Sequence, residues 1–111
     1  MRVVHGSGGW RPIRSCVTPV SDATGHEVLT IERLGTAEKP HPIQQAFVGE
    51  QAVQGGCCLS GIMLYGMAFI DKNPRATEPQ ILEALSGLIC RCHTHVRMVR
   101  ALTRYAQEKR A

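Results

Sequence analysis

The sequence predicts a mainly α-helical fold, four helices preceded by a short N-terminal β hairpin, and three observations carry that expectation. Apolar residues after position 40 recur at three- and four-residue spacing. Helix starts and stops punctuate the same region at Pro42, Asn73-Pro74 and Thr77-Glu-Pro-Gln80. Before position 35, β-branched residues lie on both sides of a turn-forming Asp22-Ala-Thr-Gly25 run.

The opening ten residues are glycine-rich and lack a clear period. Two extended segments follow, Ile13 to Val20 and Val28 to Ile31, with Pro19 arguing against a central strand in the first. Glu32 to His41 reads as a linker. The first helix starts at Pro42, whose missing amide proton costs nothing there, and runs to about Ala52 with Ile43, Ala46 and Phe47 on one face. The second, capped by Ser60 and running to about Asp71, carries Ile62, Met63, Tyr65, Met67, Phe69 and Ile70. It is apolar nearly all round, so burial on several sides is expected. Thr77 and Gln80 form the frame of a capping box for the third helix. Ile81, Leu82 and Leu85 point inward, and Gly87 closes the helix with a left-handed turn. The fourth spans Val96 to about Glu108, with Val96, Val99, Leu102 and Ala106 on its apolar face and Arg97, Arg100 and Arg104 opposite.

A chain of 111 residues supports one small domain, and with two Phe, two Tyr and one Trp its core must be largely aliphatic. The net charge of +4 comes mostly from arginines spread along the last helix, a solvated face rather than a nucleic-acid footprint, and few aromatics are available for base stacking. No apolar run reaches the ~18 residues of a membrane span, and the first residues lack the apolar core of an export signal. A cytoplasmic location follows as the expectation, with export only alongside a partner. The five cysteines do not space out as a secreted disulfide ladder, which favours metal ligation in a reducing compartment.

Four of those cysteines form two close pairs, Cys57-Cys58 and Cys90-Arg91-Cys92, about thirty residues apart at the ends of a helical hairpin. Thiolates are soft ligands for zinc, copper and iron–sulfur clusters. The neighbours Cys57 and Cys58 tend to diverge, whereas Cys90 and Cys92 can face one way. Glycines 55, 56 and 61 let backbone approach a bulky inorganic core. Three readings stand at this point: an iron–sulfur centre, a zinc site using Cys58, Cys90, Cys92 and His93 or His95, or small buried thiols in a helical core.

The run His41-Pro-Ile-Gln-Gln-Ala-Phe47, the segment Gln54 to Gly61, then Pro74, Ile81 and Cys90-Arg-Cys92 resemble the helical domain of the small iron–sulfur subunits of molybdenum hydroxylases. These are relatives of xanthine dehydrogenase and of the aldehyde and isoquinoline oxidoreductases. Ile13-Arg-Ser-Cys-Val-Thr-Pro-Val20, Gly25 and Leu29-Thr-Ile-Glu32 resemble the end of the preceding plant-type ferredoxin domain. The resemblance implies a ferredoxin-domain remnant and linker over residues 1–35, most of that domain being absent, and a helical [2Fe–2S]-binding-like domain over 36–111. It further implies a [2Fe–2S] cluster at a Cys-x-x-Cys loop and a Cys-x-Cys loop. Gly55 and Cys58 match the first pair, Cys90 and Cys92 the second, so one ligand position holds glycine. Cys57 is the neighbouring thiol that would have to stand in for it, and Cys16 matches a single surviving ligand of a second cluster. Gln54 matches a glutamine that faces the pterin, and the molybdenum–pterin group belongs to a large partner subunit. The function implied is electron transfer, without catalysis by this chain alone. The alternatives are a metal-free structural or interaction remnant that self-associates into homo-oligomers, and a Cys/His zinc module.

Overall fold

The computed structural model describes residues 2–6 and 8–111. Three antiparallel strands open the chain, β1 (Arg2–Gly6), β2 (Gly9–Ile13) and β3 (Glu27–Leu29), in the order β2-β1-β3. Gly6 pairs with Gly9 at the tip of the first hairpin, where Gly9 takes a φ of 84° that a β-carbon would resist. β3 returns along the other edge of β1, with Val28 opposite Val4. The glycine-rich opening is therefore the hairpin itself, although Met1 and Ser7 lie outside the described residues.

The extended segment expected over 13–20 does not form. Ile13 ends β2, the Thr18 hydroxyl donates to the Arg14 carbonyl at 2.8 Å, and Val20–Ala23 winds into a single 3-10 turn. Val17 and Val20 are 77% and 88% exposed. No buried face rewards a strand there, and β propensity is chiefly a preference for half-buried pleated surface.

Four helices follow, α1 (Pro42–Gly49), α2 (Leu59–Lys72), α3 (Glu78–Ala84) and α4 (His95–Arg110). Their facing surfaces make one core, with Phe47, Ile43, Ile62, Leu64, Ile70, Ile81, Met98 and Leu102 fully covered. α2 is central, touching β1 and β2 as well as all three other helices, which is why its sequence is apolar on several sides. Its N-cap residue is Cys58 rather than Ser60, the Cys58 carbonyl accepting from the Ile62 amide at 3.0 Å. α1 stops at Gly49, short of Ala52, because Gln51 turns to φ 50°. In α3 the Thr77 amide donates to Gln80 Oε1 at 2.9 Å, as the capping-box reading expects. Ile81 and Leu85, one turn apart, are buried, but Leu82 is 55% exposed because the short helix offers the core a single face. Gly87 does not adopt a positive φ, and the chain instead leaves α3 through a turn in which the Leu88 amide donates to the Leu85 carbonyl. The buried face of α4 is Met98, Val99, Ala101, Leu102, Tyr105 and Ala106. Val96, expected on that face, is exposed in the first turn beside a surface pocket.

α1 carries a cap that the sequence pattern did not reveal. His41 Nδ1 accepts from the Ile43 amide at 3.3 Å, and Gln44 Oε1 accepts from the His41 amide at 2.8 Å. The first bond needs an unprotonated Nδ1. Burial lowers the His41 pKa, with Asp71 raising it and Lys109 lowering it by smaller amounts. A depressed pKa means that the unfolded chain binds this proton more readily. The stabilisation is therefore complete above the ordinary histidine range and is lost as pH falls through the folded pKa. Thermal denaturation of the native chain should show a loss of stability on acidification through this window that is absent in His41→Asn, which caps without titrating.

Candidate metal centre

Two loops bring the clustered cysteines together. The first leaves α1 through the buried Ala52, whose amide donates to the Phe47 carbonyl, and enters α2 by way of Gly56 at φ 87°. That value is the left-handed region, so glycine at 56 serves the turn. Gly55 has no such backbone demand. The second loop joins α3 to α4, and the His93 amide donates to the Cys90 carbonyl at 3.3 Å while His93 itself sits at φ 57°. Holding a histidine in that conformation is uncommon and marks a tightly determined turn.

The side chains sort into two pairs. The Cys58 and Cys90 thiols are near enough across the two loops for each to shift the other's ionisation. A β-carbon built on Gly55 would lie 3.1 Å from Cys92 Sγ. The four positions singled out by resemblance thus converge as Cys58 with Cys90 and Gly55 with Cys92. A [2Fe–2S] cluster takes two protein ligands on each iron. Here one pair is complete and the other has a thiol facing a backbone with no side chain.

Cys57, the neighbouring thiol, is exposed, while Cys58 and Cys92 are half-buried and Cys90 is buried. His95 Nε2 lies 3.2 Å from the Leu88 carbonyl, and His93 lines the pocket on the outer side of the loop. Among the described residues no group of three or more His, Cys, Asp or Glu side chains is gathered as a single metal ion requires. The mixed Cys/His zinc site is therefore not assembled, because the three thiols belong to two different pairs. Of the four positions matched by resemblance, three carry thiols and the fourth, Gly55, carries none. Cys16, far earlier in the chain, is exposed and free.

The two members of the complete pair differ electrostatically. Burial pushes the Cys58 thiol up to about 11, with the neighbouring Cys90 adding to the effect. The Thr94 side chain, whose Oγ1 lies 3.4 Å from Cys90 Sγ, is the main cause holding Cys90 down at about 6. Thr94 is thus a site residue through a local contact with Cys90 four residues earlier, and its closeness in sequence to Cys90 and Cys92 is the signal for it.

Beside this centre lies a pocket of about 540 Å³ lined by Gln51, Val53, Gln54, His93, Thr94, Val96, Arg97 and Arg100. Arg97 is steadied by donating to the Gln51 carbonyl at 3.3 Å. Gln54 therefore faces a basic, partly apolar surface adjoining the cysteine loops. The arginine face of α4 is exposed, as expected, and two of its members, Arg97 and Arg100, line this pocket.

This fold and its two cysteine loops define the class. The chain belongs to the [2Fe-2S] binding domain family, which matches residues 30–103. It is a small domain of that kind, homologous to the small or alpha subunits of nicotinate and isoquinoline molybdenum hydroxylases. It is 44% identical over 97 residues to one subunit of the nicotinate dehydrogenase of Pseudomonas putida. It is 41% identical over 95 residues to the alpha subunit of isoquinoline 1-oxidoreductase from Brevundimonas diminuta. Those alignments cover 87% and 86% of this chain, which spans 62% of the length of each relative. Among solved structures, quinoline 2-oxidoreductase from Pseudomonas putida 86 superposes with a TM-score of 0.83 at 28% identity, over 98% of this chain and 67% of that one. Aldehyde oxidoreductase from Desulfovibrio gigas gives a TM-score of 0.87 at 26% identity, over 98% of this chain and 12% of that one.

Proposed function

We propose that this chain is a small-subunit relative that acts as a structural and interaction module, without a complete [2Fe–2S] cluster. The observation that carries the reading is Gly55: its backbone approaches Cys92 where a fourth thiolate would be needed, and no neighbouring side chain replaces it. The helical core does not depend on the missing ligand, since its packing runs through α1, α2 and α4.

The partner proposed is a large molybdenum–pterin subunit, docking over Gln54. Gln54, Arg97 and Arg100 offer hydrogen-bond donors suited to an anionic or carbonyl-rich surface, and Val53 and Val96 add exposed apolar area beside them. On this reading the N-terminal strands β1 and β2, which pack on α2, cover one side of that helix. Affinity capture of this chain, after co-expression with a molybdenum–pterin large subunit, should retain that partner. Arg97→Glu together with Arg100→Glu should reduce capture at least about tenfold, since truncating or reversing desolvated charges costs ~2–5 kcal/mol. Unchanged capture by that variant would contradict the docking face. Self-association of the chain with no capture would support the homo-oligomeric remnant instead.

A further inference from the structure

The last turn of α4 holds the segment that leads into the second cysteine loop. Arg110 Nε donates to the Pro74 carbonyl at 2.6 Å, and Arg110 Nη2 donates to the Ala76 carbonyl at 2.9 Å. One planar guanidinium thus spans two carbonyls of the turn ahead of α3, which its rigid fork allows and a single ammonium does not. The base from which it reaches is fixed, since Lys109 in the same turn pairs with Asp71 near the end of α2. Within the held turn the Ala76 amide donates to the Asn73 carbonyl at 2.9 Å, and Ala76 itself is buried.

Beyond that turn the chain has little strength of its own. α3 is seven residues long. Isolated helices are marginal even below ~12–15 residues. Ile81 and Leu85 bury its one apolar face, while Leu82, Glu83 and Ser86 are exposed. At the far end the Leu88 carbonyl lies 3.2 Å from Nε2 of His95, the first residue of α4. α4 therefore grips the segment at both ends, and the buried Cys90 follows directly after it. We infer that Arg110 is the latch of a lid, residues 74–90, whose opening as one unit gives access to Cys90. A short packed segment opens cooperatively, so a contact at one end enters the opening equilibrium of every residue in it. Releasing the latch loosens Cys90 even though the latch closes on the opposite end of the segment. The open form is the one from which thiol reagents and soft metal ions reach the Cys90 sulfur.

Residue-resolved amide exchange on the full chain tests the latch, together with iodoacetamide labelling of Cys90 on the same reduced, chelator-treated sample. Arg110→Ala should speed exchange of the Ala76, Ile81, Leu85 and Leu88 amides about tenfold, the order set by losing two charge-assisted hydrogen bonds at a partly exposed site. Cys90 labelling should rise by the same factor. Amides in α1 and the middle of α2, such as Gln45 and Met67, should keep their rates. Arg104→Ala removes another arginine of α4 and should leave the α3 amides and Cys90 unchanged. Arg110→Lys keeps the charge and should recover only part of the protection. An equal rise at Gln45 and Met67 would mean general destabilisation and overturn the lid. Full protection in Arg110→Lys would assign the effect to charge at the helix end and overturn the two-carbonyl latch. Faster α3 amides with unchanged Cys90 labelling would overturn the link to the cysteine loop, and unchanged α3 amides would overturn the latch itself.

Discussion

Gly55→Cys is expected to convert this chain from one that retains far less than stoichiometric iron into one that holds two irons and two sulfides, the [2Fe–2S] complement. Three geometric facts support that outcome. The backbone at 55 is outside the positive-φ region, so a side chain is sterically admissible. The new β-carbon would point at Cys92, 3.1 Å from its sulfur, and a shift of a few tenths of an ångström in that half-buried side chain accommodates it. The opposite pair, Cys58 and Cys90, already lies near enough for each thiol to shift the other's ionisation. Gly56→Cys is the matched control. It adds the same thiol one residue later, at φ 87°, where a β-carbon is strained. Anaerobic reconstitution followed by iron, sulfide and visible absorption measurements should separate the two variants. Equal iron uptake by both would show that an extra thiol, rather than its position, is what matters.

The second large effect is expected where α2 and α4 cross. A β-carbon on Gly66 would meet Leu102 Cδ2 at 2.5 Å and Cδ1 at 2.9 Å, and Leu102 is fully buried. Leu102→Ala should cost about 2–5 kcal/mol through lost transfer energy and the cavity left behind. Gly66→Ala alone places a methyl group in that contact, and overpacking of about 1–3 kcal/mol outweighs the ~1 kcal/mol gained in helix propensity. Combined, the two substitutions relieve each other, because the alanine methyl enters space that Leu102 has vacated. The double variant should be more stable than Leu102→Ala alone. Denaturant titration of the four proteins closes the cycle, and strictly additive losses would mean that the two side chains do not compete for one volume.

Much of the helical half was legible because its signals are local. Proline at the first position of α1, the Thr77–Gln80 box and the apolar stripes depend on residues within one or two turns of each other. The N-terminal sheet was harder. β1 and β2 pair through a hairpin whose sequence is dominated by glycine, while the β-branched residues of 17–20 looked more strand-like yet have nothing to lie against. Leu82 and Val96 depart from expectation for a related reason: periodicity says which residues share a helix face, and tertiary packing decides how much of that face the core covers.

The candidate site divides along the same line. Cysteine spacing and the resemblance it supported led to the family, and they also exposed the glycine at 55. How the positions converge across two loops depends on the fold, as does the shared pocket of Gln54, Arg97 and Arg100, and neither has a sequence-local signal; the contact of Thr94 with Cys90, four residues apart, is the local exception.

The central claim is that one absent side chain leaves an otherwise conventional [2Fe-2S] binding-domain fold without a complete cluster site. Its most direct test is anaerobic reconstitution of the unaltered chain with iron and sulfide, followed by desalting, metal analysis and a visible spectrum. The account predicts a folded, colourless protein with far less than one iron per chain. A stable product with the [2Fe–2S] stoichiometry and its charge-transfer absorption would contradict it.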